Sequence, residues 1–180
     1  MKKITAILLF SMMAAPAFAA NNEGFYVGGT LGNGRLGFTS TVALSKASDF
    51  VYGGLFGYRY NQNLAVEAQF TGVGKSTTVT GATLKGDAFS LVAVGILPVS
   101  SSVELFGKLG ASSTKITAAG FTSQGETRTG VTLGIGGQYS VSPSIAIRAG
   151  WDGYPEAVSN AGVKVLGYAS VFSVGAIFKF

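Results

Sequence analysis

Cysteine and histidine are both missing from this chain of 180 residues. Without cysteine there are no disulfides, no thiolate metal sites and no cysteine nucleophile. Without histidine the commonest general base near neutral pH is gone. Charge is scarce as well: Asp, Glu, Lys and Arg make up 12% of the residues, against about a quarter in an ordinary soluble domain. Thirteen basic and eight acidic residues give a formal net charge of +5, but no basic run exists, so the charge does not point to nucleic acid. Beyond the N-terminal segment a long apolar run is also lacking. The longest, Leu91 to Val99, falls well short of the roughly 18 residues of a membrane helix.

What is present pulls the other way. Hydrophobic residues account for 47% of the chain, and the mean hydropathy is +0.41. Glycine occurs 27 times, about double its ordinary share. A surface this apolar and this poorly charged needs a non-aqueous partner.

The N-terminus reads as a secretory signal. Lys2 and Lys3 supply the positive start, Ile4 to Ala15 the apolar stretch, Pro16 a break, and Ala17-Phe18-Ala19 a cleavage site with small residues at both recognition positions. Residues 1–19 are therefore expected to be removed, leaving a single domain of residues 20–180. Loss of the two lysines lowers the net charge from +5 to about +3. The absence of cysteine excludes a lipid anchor. An exported, apolar chain with no helical span has one way left to satisfy its backbone in lipid, a closed β-barrel.

The rest of the chain has a period of two, which places alternate residues on one face of a strand. Phe50, Tyr52, Phe56, Tyr58 and Tyr60 share a parity, and Arg59 lies on the other. Leu64, Val66, Ala68 and Phe70 oppose Ala65, Glu67, Gln69 and Thr71. Val103, Leu105 and Leu109 oppose Glu104, Phe106 and Lys108. Val131, Leu133, Ile135 and Tyr139 oppose Thr132, Gly134, Gly136 and Gln138. Ile145, Ile147, Ala149 and Trp151 oppose Ala146, Arg148, Gly150 and Asp152. The apolar set faces lipid and the charged set faces the lumen, the reverse of a soluble lipocalin-type barrel.

About eight such segments are expected, near 25–38, 50–60, 64–75, 86–97, 103–113, 129–140, 145–154 and 168–180. The segment 86–97 is apolar at both parities, so its faces cannot be assigned. Short turns fall at Asn61-Gln62-Asn63, Pro98 to Ser102 and Ser142-Pro143-Ser144. Longer loops are expected near 39–49, 76–85, 114–128 and 155–167. The fold class is thus all-β: an eight-stranded antiparallel transmembrane β-barrel in the outer membrane of a Gram-negative bacterium, with both termini on the periplasmic side.

Several pieces in order resemble the transmembrane domain of the outer membrane protein A family of small barrels. They are Gly24 to Gly32, Gly57 to Asn61 running into Val66-Glu67-Ala68, Glu104 to Gly110, Ser142 to Arg148, and Ser173 to Phe180. The family's peptidoglycan-binding domain has no counterpart, so a wall-anchoring role is not carried over. The resemblance implies that Glu67, Lys108 and Arg148 belong to an interior salt-bridge network discussed as a gate. Gln138 stands where the family carries a second carboxylate, and Ala93 replaces an inward lysine on the fourth strand. It also implies that Phe172, Val174, Ala176, Phe178 and Phe180 form a C-terminal signal read by the barrel-assembly machinery.

The lumen charges are the sharpest candidate site: Glu67, Glu104, Lys108, Gln138 and Arg148, with Arg59 and Lys179 nearer the periplasmic end. Catalysis is not expected. Acidic residues are scattered singly, and a pair able to meet across a barrel, such as Glu67 and Glu104, is not matched with a nucleophile. No cofactor or metal site is expected either. The partners are outer-membrane lipids, lipopolysaccharide and the assembly machinery, with no nucleic acid. The expected function is a structural or small-pore role, the charges pairing either to fill a narrow barrel or to gate it. The alternative is surface adhesion or recognition through the long loops, where Phe121 and Arg128 are the few anchors for unknown ligands.

Overall fold

In the computed structural model, the residues described are 23–35, 49–77, 83–119, 126–160 and 163–180. The expected signal segment, Phe121 and most of the 39–49 connection lie outside them. Eight strands follow one another: β1 (Gly24–Arg35), β2 (Asp49–Arg59), β3 (Leu64–Thr77), β4 (Thr83–Pro98), β5 (Val103–Ala119), β6 (Glu126–Ser140), β7 (Ile145–Asn160) and β8 (Val163–Lys179). Each pairs antiparallel with the next, and β8 returns to β1, closing a barrel. Closure leaves no strand edge unpaired, which lipid would not forgive.

Three tight turns share one chemistry and one end of the barrel. Tyr60 N donates to Leu64 O, Val99 N to Val103 O, and Val141 N to Ile145 O, each at 2.9 Å. A polar side chain caps each turn: Asn61 Oδ1 accepts from Asn63 N, Ser100 Oγ from Val103 N, and Ser142 Oγ from Ile145 N. The closing seam is at this end too. Phe180 N donates to Phe25 O at 2.9 Å. Gly24 has φ +147°, and a Cβ there would lie 3.0 Å from Phe180 O, so a larger residue would strain the seam twice over.

The expected alternation of faces holds on β2, β3, β5, β6, β7 and β8. Phe25, Leu31, Phe56, Leu109 and Ile135 are each more than half exposed, which only an apolar surrounding makes tolerable. Phe25 stacks on Phe56 and tilts against Tyr58, with centroids 5.5 and 4.8 Å apart. On β4 the structure resolves what the pattern left open. Ala88, Ser90, Val92, Val94 and Ile96 point inward and are buried, whereas Phe89, Leu91 and Leu97 are exposed.

Two expectations need correction. Ala93 lies on the outward parity of β4 and is exposed; the inward neighbours on either side are Val92 and Val94. Ala93 therefore does not stand in for an inward lysine. Among the described residues, the loops expected at 76–85, 114–128 and 155–167 are strand. Pairing runs on through Thr77↔Thr83, Ile116↔Glu126 and Asn160↔Val163. Ser- and Thr-rich sequence is compatible with a two-stranded hairpin, because Thr suits a pleated surface.

Candidate functional site

The lumen is lined in levels. At the short-turn end Arg59 of β2 reaches across to Glu104 of β5, donating from Nη1 at 3.1 Å and from Nη2 at 2.8 Å. The same guanidinium donates to the carbonyls of Asn61 and Gln62 at 3.0 and 2.7 Å. One cation thus fixes both the β2–β3 turn and a carboxylate on the far wall. Lys179 of β8 donates to Ser140 Oγ at 3.3 Å.

The middle level is the densest. Arg148 Nη1 donates to Glu67 Oε1 at 2.6 Å. Tyr26 Oη donates to the same oxygen at 2.7 Å, and Gln69 Nε2 to Oε2 at 2.6 Å. Arg148 Nη2 donates to Gln138 Oε1 at 3.1 Å, and Gln138 Nε2 donates in turn to Glu104. A continuous chain therefore links Tyr26, Glu67, Arg148, Gln138, Glu104 and Arg59. Glu67 is fully buried, and Arg148 is 5% exposed. Such charges are tolerable because both oxygens of Glu67 and both terminal nitrogens of the Arg148 guanidinium have partners.

Aromatic rings complete this level. The Arg148 guanidinium carbon lies 4.4 Å from the Phe106 ring centroid and 6.0 Å from that of Tyr26. Both rings rest against glycine. A Cβ on Gly57 would collide with the Tyr26 ring, and a Cβ on Gly136 with the tip of Phe106. Gly57 is the cross-strand partner of Tyr26, and Gly136 that of Phe106. The missing side chains let the rings lie along the inner wall. Around them Leu55, Ala65, Val92, Val94, Ile96 and Ile177 form an apolar cluster.

Lys108 belongs to a separate level. Its Nζ donates to both oxygens of Asp152, at 2.9 and 3.1 Å. Farther along, the hydroxyls of Thr71 and Tyr154 lie 3.2 Å apart, and Thr132 Oγ1 donates to Gly153 O at 2.8 Å. A cavity of about 20 Å³, lined in part by Gln69, Lys108, Arg148, Asp152 and Tyr154, lies beside the middle level. That is room for roughly one water molecule.

Of the residues singled out from sequence, Glu67, Glu104, Gln138 and Arg148 meet in one network, and Lys108 does not join it by hydrogen bond. Glu67 and Glu104 do not meet directly; Arg148 and Gln138 stand between them. Tyr26 and Gln69 are full members of the network, and Asp152 is the partner of Lys108; the candidate set omitted all three. Gln69 and Asp152 share the inward parity, which was a usable signal. Tyr26 carried one too, standing on the parity opposite Phe25. Among the described residues no three acidic groups converge as a metal site.

The C-terminal stripe lies on the outer wall. Phe172 and Val174 are exposed, Ala176 is also exposed, and the rings of Phe178 and Phe180 meet edge-on at 5.1 Å.

The outer membrane protein beta-barrel domain is the family whose model matches residues 5–180. Among solved structures, the chain is similar to Neisserial surface protein A, with 20% identity and a TM-score of 0.68 over 87% of this chain and 97% of that one. It is also similar to the N-terminal β-barrel domain of Pseudomonas aeruginosa OprF, at 17% identity, TM-score 0.58, 87% and 99% coverage. A third is Ail, the attachment invasion locus protein of Yersinia pestis, in complex with the heparin analogue sucrose octasulfate, at 16% identity, TM-score 0.58, 87% and 99% coverage. At these identities the likeness is one of fold. No curated protein matches the sequence.

Proposed function

The chain belongs to the outer membrane protein β-barrel domain family, and on that premise we propose that it is a structural barrel with a closed lumen. It resides in the outer membrane of a Gram-negative bacterium. In this reading residues 1–19 are cleaved on export and residues 20–180 form the barrel. The role is non-catalytic, in keeping with a chain that has no histidine or cysteine. The outer-wall stripe of Phe172, Val174, Ala176, Phe178 and Phe180 is what the assembly machinery reads. Lipids and lipopolysaccharide surround the exposed apolar band.

The observation that carries the closed lumen is the packing of its middle. Ala65, Glu67, Val94 and Ala146, on β3, β4 and β7, all have 0% exposure. In a barrel of eight strands side chains just fill the interior. Here they do so with a salt-bridged chain and an apolar cluster drawn from many of the same strands. Purified protein in a planar bilayer should show no steady ionic conductance. Reproducible channel steps from homogeneous folded protein would overturn this reading in favour of a small pore.

One observation favours a second reading, recognition at the cell surface. β5 and β8 are each 17 residues long, whereas about 9–11 suffice to span a membrane. At about 3.3 Å per residue and a tilt near 40°, 17 residues cover roughly 43 Å, against an apolar band of about 25 Å. The excess stands as paired hairpins at the end opposite the tight turns. One similar barrel, Ail, holds a heparin analogue in its crystal structure. Cells displaying this protein should be retained on immobilised heparin and released when the β5–β6 hairpin is shortened. Equal passage of both kinds of cell would discard the recognition reading.

A further inference from the structure

We propose that the middle of the lumen is a preformed binding site for a guanidinium ion, and that Arg148 occupies it as a tethered ligand. The inference rests on the closed-lumen reading and goes further, since it says that the closing group is separable from the walls of its site.

The argument turns on what holds each wall in place. Glu67 is positioned without Arg148, because Tyr26 Oη holds Oε1 at 2.7 Å and Gln69 Nε2 holds Oε2 at 2.6 Å. Gln138 is positioned without Arg148 as well. Its amide nitrogen bonds Glu104, which Arg59 grips through two hydrogen bonds. Phe106 lies against Gly136 and Gly150, and Tyr26 against Gly57, where a Cβ on any of the three would touch the ring. The carboxylate, the amide oxygen and both aromatic faces are thus fixed by residues other than the cation they surround.

The shape of the site selects the ligand. A guanidinium is planar, donates in a fork, and stacks on aromatic faces, whereas an ammonium does none of these well. Nη1 and Nη2 find separate acceptors 2.6 and 3.1 Å away, and the Phe106 centroid lies 4.4 Å from the central carbon. Nε, the atom through which the group is tethered, is buried and has no hydrogen-bond partner among the described residues. The site therefore uses the two free ends of the fork and neglects the tether. An untethered guanidinium ion would lose none of the polar contacts.

The test is replacement of the ligand after its tether is cut. R148A is refolded into detergent, and its thermal stability is followed on a gel that separates folded from unfolded barrel. Guanidinium chloride at low millimolar concentration, far below denaturing levels, is compared with sodium chloride at equal strength and with urea. The expected result is a saturable rise in the unfolding temperature of R148A with guanidinium alone. The parent, whose site is full, should not respond. Neither should the double variant R148A with Glu67→Gln, in which the anionic acceptor is gone. If R148A folds poorly, the folded yield should rise with guanidinium and not with sodium. The proposal falls if R148A responds equally to sodium or urea, if the parent responds equally, or if guanidinium neither stabilises R148A nor raises its yield. Conductance of the parent barrel would sink the closed-lumen reading by itself, while these melts decide the site.

Discussion

Glu67 accepts hydrogen bonds from Tyr26, Gln69 and Arg148 while fully buried. Nothing about that position is neutral to substitution. Glu67→Ala leaves the guanidinium of Arg148 without its anion, and Arg148→Ala leaves the carboxylate without its cation. Breaking one side of a buried pair costs about 3–5 kcal/mol, because an uncompensated charge stays behind. Replacing both by groups of similar volume avoids that cost. Each single variant is therefore expected to be destabilised in detergent, and Glu67→Gln with Arg148→Met to recover much of the loss. A double-mutant cycle from unfolding midpoints measures the coupling. Additive effects would mean that the two residues do not interact. Parity places Glu67, Glu104, Gln138 and Arg148 on the inner wall. The family resemblance adds the grouping of Glu67 with Arg148, which the structure pairs, and with Lys108, which it pairs with Asp152 instead. Whether Arg148 meets Glu67 of β3 or another anion depends on how strands far apart in the chain line up around the barrel, and a period of two says nothing about that.

At the scale of strands, β4 shows where the pattern runs out. Its inward positions are Ala88, Val92, Val94 and Ile96 together with Ser90. Its outward positions include Phe89, Leu91 and Leu97. A strand that packs an apolar cluster inside and lipid outside has no polar face to reveal its orientation. The inward placing of Ala93 rests on the family resemblance, and β4 has no pattern that could have contradicted it. Hairpin extents escape the pattern for a different reason, since their Ser- and Thr-rich stretches lack the apolar alternation that marks a strand. β8 is the opposite case. Its outward stripe was legible, and it carries a test. Phe180 contributes two separable things, a backbone donor to Phe25 O at 2.9 Å and a terminal aromatic ring. Deleting Phe180 removes both, whereas Phe180→Ala keeps the seam bond. If the ring is the assembly signal, both variants should show reduced outer-membrane insertion, with periplasmic aggregates or degradation products, in fractionated cells. Loss confined to the deletion would assign the effect to the seam, and native yield from both would remove the assembly role.

Closure decides the behaviour of the whole molecule. Every strand has two neighbours, with β8 paired to β1 from Tyr26↔Lys179 to Arg35↔Ser170. Local opening must therefore break ladders on both sides of a strand, and no edge offers a place to start. The ion pairs add ties across the lumen, from β2 to β5, from β5 to β7 and from β3 to β7. A detergent such as dodecyl sulfate covers the outer apolar surface much as lipid does, so it gains little by unfolding the chain at room temperature. Heating supplies the opening that detergent alone does not. The unheated protein is thus expected to migrate differently from the boiled protein on a dodecyl sulfate gel. Its circular dichroism should be of β type before boiling and should lose that form as the mobility changes. If the E67A and R148A losses described above are carried by the closed state, both variants should convert at a lower temperature than the parent. A helical spectrum in micelles, or one mobility before and after boiling, would refute a closed barrel in solution.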